Sequence, residues 1–268
     1  MEYLRAMCAL VVALIVGTSS VVAAVRLDHA GCADVTLVFA RGSGQHVNDL
    51  EARVFFGGVL ERVGPDVSVT TYELGTEHGG AGYAAVGGPL DMLEAELSWT
   101  GFLGGGYRAS VAAGVAELTS YLAHRTGACP GESFVVGGYS QGAQVVGEAL
   151  FELPAATRER IAFVALFSDP KLHLPEGRGP FPPACRGEAS PWRRGKISCW
   201  ADNGVLESRK PYLPEDIADR TGSWCDRDDG VCNGNLIDLA LSRDHSAYAH
   251  AGAEIDEAAR EIASVLDR

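Results

Sequence analysis

The stretch from Phe134 to Leu150, FVVGGYSQGAQVVGEAL, constrains the fold of this chain more than any other. Phe134, Val135 and Val136 make a short apolar run suited to a buried strand, and Val145, Val146, Ala149 and Leu150 recur at helical spacing just afterwards. Between them, Gly138-Tyr139-Ser140-Gln141-Gly142 fits G-x-S-x-G, a sharp strand-to-helix turn that exposes a serine hydroxyl. Gly138 and Gly142 leave room where a Cβ would meet the neighbouring strand or helix. Because 33 residues are glycine, the spacing alone is modest evidence. The order strand, tight turn, helix makes Ser140 a candidate nucleophile.

A serine hydroxyl attacks poorly until a base removes its proton, so a histidine and a carboxylate are needed downstream. The tail supplies both. Cys225 to Cys232, CDRDDGVC, sets acids in a short cysteine-bounded loop, and Asp244-His245-Ser246-Ala247-Tyr248 follows. Serine, acid, histidine is the chain order of α/β-hydrolases. Among the seven histidines, His29 lies near the start, His46, His78 and His124 precede Ser140, and His173 precedes the acid loop. His250 falls inside an expected terminal helix and faces away from His245, which is therefore the expected base. The acid has a rival outside the loop in Asp169, at the end of the apolar strand Ile161 to Phe167. Its other reading is a cap or brace for that turn.

The remaining chain alternates strands with helices, the pattern of a single α/β domain with a mostly parallel central sheet. Val35 to Ala40 reads as a buried strand running into Arg41-Gly42-Ser43-Gly44, the loop expected to give a second oxyanion donor in this class. Helices are expected over Asp49 to Val63, Tyr107 to Ala123 and Ala247 to Leu266, with a further strand over Val67 to Tyr72. The glycine-rich run Gly75 to Gly106, holding Trp99, Phe102 and Leu103, is either a long surface loop or a mobile flap over an acyl-binding cleft. Lys171 to Pro191 is rich in Pro and Gly, and Phe181 and Trp192 are substrate-wall residues or loop packing. A net charge of −13 leaves no basic stripe to neutralise phosphates, which excludes a nucleic-acid partner.

Residues 1–24 read as a secretory signal: Arg5 precedes the apolar stretch Ala6 to Val16, and Val22-Ala23-Ala24 offers small residues for cleavage. Retention as an anchor is the alternative. Residues 25–268 then form one domain of about 240 residues. Of seven cysteines, Cys8 lies in the leader, and the rest form an even set in an exported chain, suggesting three disulfides with fifteen pairings open. Zinc is disfavoured because no C-x-x-C or H-x-x-x-H pair occurs. The expected chemistry uses neither metal nor cofactor.

Four stretches, CADVTLVFARGSGQ from Cys32, CPGESFVVGGYSQG from Cys129, CDRDDGVC from Cys225 and HSAY from His245, together resemble the cutinases, small secreted serine esterases of the α/β-hydrolase class. The resemblance implies Ser140 as nucleophile, Asp229 as acid and His245 as base, with Ser43 and Gln141 forming the oxyanion hole. It pairs Cys32 with Cys129 and Cys225 with Cys232, which leaves Cys185 with Cys199. The segments KLHLPEG and ISCWADNGVLESRKPYLPEDI are similar to the larger actinobacterial cutinase-like lipases associated with mycolic-acid envelopes. The implied protein is a secreted or envelope-associated monomer that hydrolyses esters of acyl lipids or polyesters. Acetyl-polysaccharide esterase, envelope phospholipase or thioesterase, and a non-catalytic envelope-binding protein are the alternatives.

Overall fold

The computed structural model describes residues 31–75, 82–87, 105–173, 204–206, 209–226, 229–234, 239, 245, 248 and 253–267. Five strands form one sheet: β1 (Val35–Ala40), β2 (Val69–Glu73), β3 (Ser133–Tyr139), β4 (Ile161–Phe167) and β5 (Thr221–Trp224). Their order is β2-β1-β3-β4-β5, and every neighbouring pair is parallel. Helices α1 (Leu50–Leu60), α2 (Gly105–Ala128), α3 (Gln141–Glu152) and α7 (Ala253–Leu266) flank it. The short helices α4 (Ala155–Arg158), α5 (Glu215–Ala218) and α6 (Gly230–Asn233) lie in connections.

Continuous apolar runs make the central strands, because helices cover both faces of a parallel sheet and leave no side to water. β1 is buried at all six positions. On one face Leu37, Phe39, Val135, Phe163, Ala165 and Phe167 pack with Phe55 and Val59 of α1 and Ile255, Ala259 and Ile262 of α7. Alternate strand residues point to the opposite layer, where α2 packs on α3 and α3 on β1, β3 and β4. Helix α2 runs beyond the expected Ala123 to Ala128. Its last turn is tied down by Arg125, which makes a buried ion pair with Glu132, and by the disulfide from Cys129 to Cys32. Strand β5 is a departure from the sequence reading, which placed no strand at Thr221–Trp224.

Two disulfides join the expected partners, Cys32 to Cys129 and Cys225 to Cys232, with Cα atoms 5.4 Å and 5.8 Å apart. Cys185 and Cys199 lie outside the described residues, as do Trp99, Phe102, Leu103, Phe181, Trp192 and the expected signal segment. Among the described residues no helix is long and apolar enough to cross a membrane.

In a parallel sheet every strand delivers its C-terminal end to the same edge, so the loops after β1, β3, β4 and β5 converge there. These loops carry Ser43, Ser140, Ser168 and Asp229 respectively.

Candidate active site

Ser140 ends β3 and starts α3 with φ 54° and ψ −119°, a backbone conformation that costs a side-chain-bearing residue on the order of 1–3 kcal/mol. The turn is held by close backbone approach on both sides. A Cβ at Gly138 would lie 2.5 Å from the Gly142 carbonyl oxygen, and one at Gly142 would lie 1.9 Å from the Ala40 carbonyl oxygen. Both obstacles are backbone, so neither can move aside. The Ser140 N–H donates to the Phe167 carbonyl at 2.9 Å, which ties the turn to β4.

His245 Nε2 lies 3.1 Å from Ser140 Oγ, and its Nδ1 lies 3.0 Å from Asp229 Oδ1. An ionised carboxylate can only accept, so Nδ1 carries the proton and Nε2 presents a lone pair to the serine hydroxyl. Asp229 is completely buried. Burial pushes its pKa up, but the His245 charge and hydrogen bonds from His245, Ser168 and Tyr248 outweigh it and hold the carboxyl below its ordinary value. Its Oδ1 also accepts from the Val231 N–H at 3.0 Å, capping α6, and its Oδ2 accepts from Tyr248 at 2.8 Å. The Cys225–Cys232 disulfide closes the loop that presents it.

The rival acid is occupied elsewhere. Asp169 bonds the Arg209 guanidinium and accepts from Tyr212 at 3.0 Å and from the Lys171 N–H at 2.9 Å. It therefore braces the turn after β4 while Asp229 reaches the imidazole. Asp228 and His250 lie outside the described residues.

Ser43 lies in the loop after β1, and Gln141 follows Ser140 directly as the first residue of α3. In the β1 loop the Gly42 N–H donates to Gln45 Oε1 at 2.7 Å, the Gly44 N–H to the Ala85 carbonyl at 2.7 Å and the Gln45 N–H to the Gly42 carbonyl at 3.2 Å. The Ser43 and Gln141 N–H groups have no hydrogen-bond partner among the described residues. Unspent backbone donors of this kind are what an oxyanion hole requires. The loop is fixed from behind by Arg41, which donates to the carbonyls of Gln45, Leu74 and Tyr83. The Gln141 side chain accepts from Ser110 at 3.0 Å and donates to the Val86 carbonyl at 2.9 Å, clamping residues 82–87 beside the same loop.

Three residues at the site went unmarked in the sequence reading. Tyr139 stacks on the His245 ring with centroids 5.1 Å apart and donates to the His245 carbonyl. Tyr248 joins Asp229 Oδ2 to the Asp226 N–H, which donates to its hydroxyl at 2.8 Å. Ser168 Oγ lies 3.0 Å from His245 Nδ1. Tyr139 is the first variable residue of the G-x-S-x-G turn and Tyr248 ends HSAY, so both had a positional signal; Ser168 had none. Among the described residues no group of three or more His, Cys, Asp or Glu side chains is placed to hold a metal ion.

A parallel sheet whose third strand in sequence feeds a strained serine turn, with histidine and aspartate supplied by later loops, defines an α/β-hydrolase. The cutinase family model matches residues 31–263, and the chain belongs to the cutinase family. A cutinase of Fusarium solani subsp. cucurbitae is 26% identical over 231 residues, covering 82% of this chain and 72% of that protein. The carboxylesterase Culp1 of Mycobacterium bovis is 31% identical over 161 residues, covering 60% of this chain and 63% of that protein. A cutinase-like protein from Cryptococcus sp. shares the fold with a TM-score of 0.59 at 17% identity, covering 88% of this chain and 97% of its own. The acetyl xylan esterase catalytic core of Trichoderma reesei does so with a TM-score of 0.56 at 17% identity, covering 85% and 99%. The protein is a carboxylic ester hydrolase.

Proposed function

We propose that the chain is an exported serine esterase that cleaves carboxylic esters through an acyl-enzyme on Ser140. The observation that carries this reading is the unbroken line from Ser140 Oγ through His245 to the buried Asp229 carboxylate, in contacts of 3.1 and 3.0 Å. In this mechanism Ser140 Oγ attacks the ester carbonyl carbon while His245 Nε2 takes the hydroxyl proton. The carbonyl oxygen becomes an oxyanion facing the Ser43 and Gln141 N–H groups, each worth on the order of 3 kcal/mol to the transition state. Collapse breaks the bond to the alcohol oxygen, which leaves with the proton from Nε2. Water then attacks the acyl-enzyme, gives a proton to Nε2, and the second collapse returns that proton to Ser140 and frees the acid. Asp229 keeps the imidazole in the required tautomer and stabilises its positive charge throughout.

The proposed substrates are esters of acyl lipids or polyesters, met outside the cell or at its envelope. Two disulfides, and the reading of residues 1–24 as a secretory signal, support export. Hydrolysis rates across p-nitrophenyl esters from acetyl to palmitoyl test the acyl preference. Activity confined to acetyl esters would move the assignment to an acetyl-polysaccharide esterase. Stoichiometric labelling of Ser140 by an organophosphonate, abolished in Ser140→Ala, tests the nucleophile itself, and labelling that survives the substitution overturns it.

A further inference from the structure

Four non-glycine residues among those described have positive φ: Asn48, Ala85, Ser140 and Ser168. Two of them are serines that terminate the adjacent strands β3 and β4, and both hydroxyls touch the same imidazole. Ser140 meets Nε2 at 3.1 Å and Ser168 meets Nδ1 at 3.0 Å. Ser168 has φ 53° and is completely buried. L-residues with a Cβ seldom adopt such a backbone, which glycine adopts without strain.

The strain is held in place by a built support. The Ser168 N–H donates to the Trp224 carbonyl at 2.9 Å. Its successor Asp169 is locked by Arg209, by Tyr212 at 3.0 Å and by the Lys171 N–H at 2.9 Å, and Tyr212 in turn meets Ser223 Oγ at 2.9 Å. A serine that only filled this turn would be better replaced by glycine. What glycine lacks is the hydroxyl, and that hydroxyl lies where His245 and Asp229 meet.

We infer that Ser168 is a positioning residue for the general base: its hydroxyl oxygen, 3.0 Å from Nδ1, shares the Nδ1–H of His245 with the Asp229 carboxylate. The imidazole has one Nδ1 proton, and a hydroxyl oxygen and a carboxylate oxygen both stand ready to accept it. This arrangement leaves the ring a single orientation, with Nε2 toward Ser140. The groups facing the pair are Tyr139 from β3, Tyr248 from the terminal segment and the Val231 N–H from α6. Both tyrosines are buried, which raises their pKa further than the neighbouring charges do, so neither ionises in the working range.

The inference rests on the Ser140–His245–Asp229 reading, and the test separates the two. Ser168→Gly, Ser168→Ala and His245→Ala are made in the full chain. The readouts are kcat and KM on p-nitrophenyl butyrate, melting temperature, and the low-field proton resonance of His245 Nδ1. Ser168→Gly is expected to melt at or above the parent temperature while kcat falls about tenfold and KM stays within about twofold, the loss of one hydrogen bond to a charged group. Ser168→Ala is expected to lose the same factor in kcat, and the Nδ1 proton to shift in both. A merely structural serine would tie activity to melting temperature. Parent kcat in Ser168→Gly with an unmoved Nδ1 proton overturns the inference, and so does a loss seen only in Ser168→Ala, where the strain remains. If His245→Ala is inactive while Ser168→Gly keeps parent kcat, the role of Ser168 alone fails; if His245→Ala keeps parent turnover, the base assignment fails with it.

Discussion

Asp229→Asn changes one buried atom and no volume, and the structure determines what that atom meets. If the new amide nitrogen takes the Oδ1 position, it faces the Val231 N–H and the His245 Nδ1–H, both donors. The imidazole must then turn its Nδ1 lone pair inward and carry its proton on Nε2, where it can no longer accept from Ser140. If the nitrogen takes the Oδ2 position, it meets Tyr248, whose hydroxyl can rotate away and accept instead. That rotamer keeps the tautomer but loses the negative charge that balances the imidazolium. Either way turnover falls. Tautomer error costs about 10⁴ in a serine protease with the same three groups, so the expected loss is roughly 10³ to 10⁴ in kcat, or about 4–5.5 kcal/mol of barrier. KM should change little. The assay is kcat on p-nitrophenyl butyrate at pH 8, with circular dichroism and melting temperature as controls. Asp169→Asn serves as comparison and is expected to lower the melting temperature while holding kcat within about tenfold of the parent. A folded Asp229→Asn enzyme with near-parent kcat would refute the assignment, and a collapse confined to Asp169→Asn would move the acid to the end of β4.

Gly142→Ala should cost on the order of a hundredfold in kcat and lower the melting temperature, because its Cβ would fall 1.9 Å from the Ala40 carbonyl oxygen and push Ser140 off line. Parent-like kinetics in that variant would show the turn at Ser140 to be far softer than its contacts imply. Arg125→Met strands the buried Glu132 carboxylate, which also accepts from Thr36 at 2.7 Å. The expected cost is about 3–5 kcal/mol, read as a lower midpoint in urea, and a loss below about 1 kcal/mol would argue against a buried charge. Asp229 and Glu132 both have carboxyl pKa values below the ordinary range: burial opposes this in each, His245 prevails at the first, and Arg125 and Thr36 at the second. A depressed folded pKa adds stability above the unfolded value near 4 and loses it as pH falls through the folded value. Urea midpoints should therefore decline below about pH 4, with a shallower decline in Glu132→Gln.

The sheet was legible because its central strands, buried on both faces, are written as the unbroken runs VTLVFA, FVV and IAFVALF. The turn at Ser140 was legible for a different reason: a backbone that admits no Cβ on either side of Ser140 must show glycine at 138 and 142. Strand β5 carried neither mark. Thr-Gly-Ser-Trp has no apolar run, and its burial comes from contacts with distant residues. Trp224 stacks on Phe167 with centroids 5.2 Å apart, and Ser223 meets Tyr212 at 2.9 Å. Local pattern cannot report a strand whose stability lies in its partners.

The choice between Asp169 and Asp229 exposes the same limit at the site. Both are acids at the C-terminal edge of the sheet, and as isolated residues both suit a base-orienting role. What separates them is the company each keeps. Arg209 sits over the Tyr212 ring at 5.0 Å and spends its guanidinium on Asp169, neutralising that carboxylate where it stands. An aspartate already paired with a permanent cation has little field left for an imidazole. Asp229 has no cation but His245 among its bonded partners, so its charge is directed at the group that gains a proton in the proposed reaction. Arg209 and Tyr212 lie some forty residues beyond Asp169, in ISCWADNGVLESRKPYLPEDI, a stretch that carries no catalytic motif. The residues that occupy Asp169 thus stand far from it in sequence. The same pairing that occupies Asp169 holds the turn on which the Ser168 hydroxyl lies 3.0 Å from Nδ1.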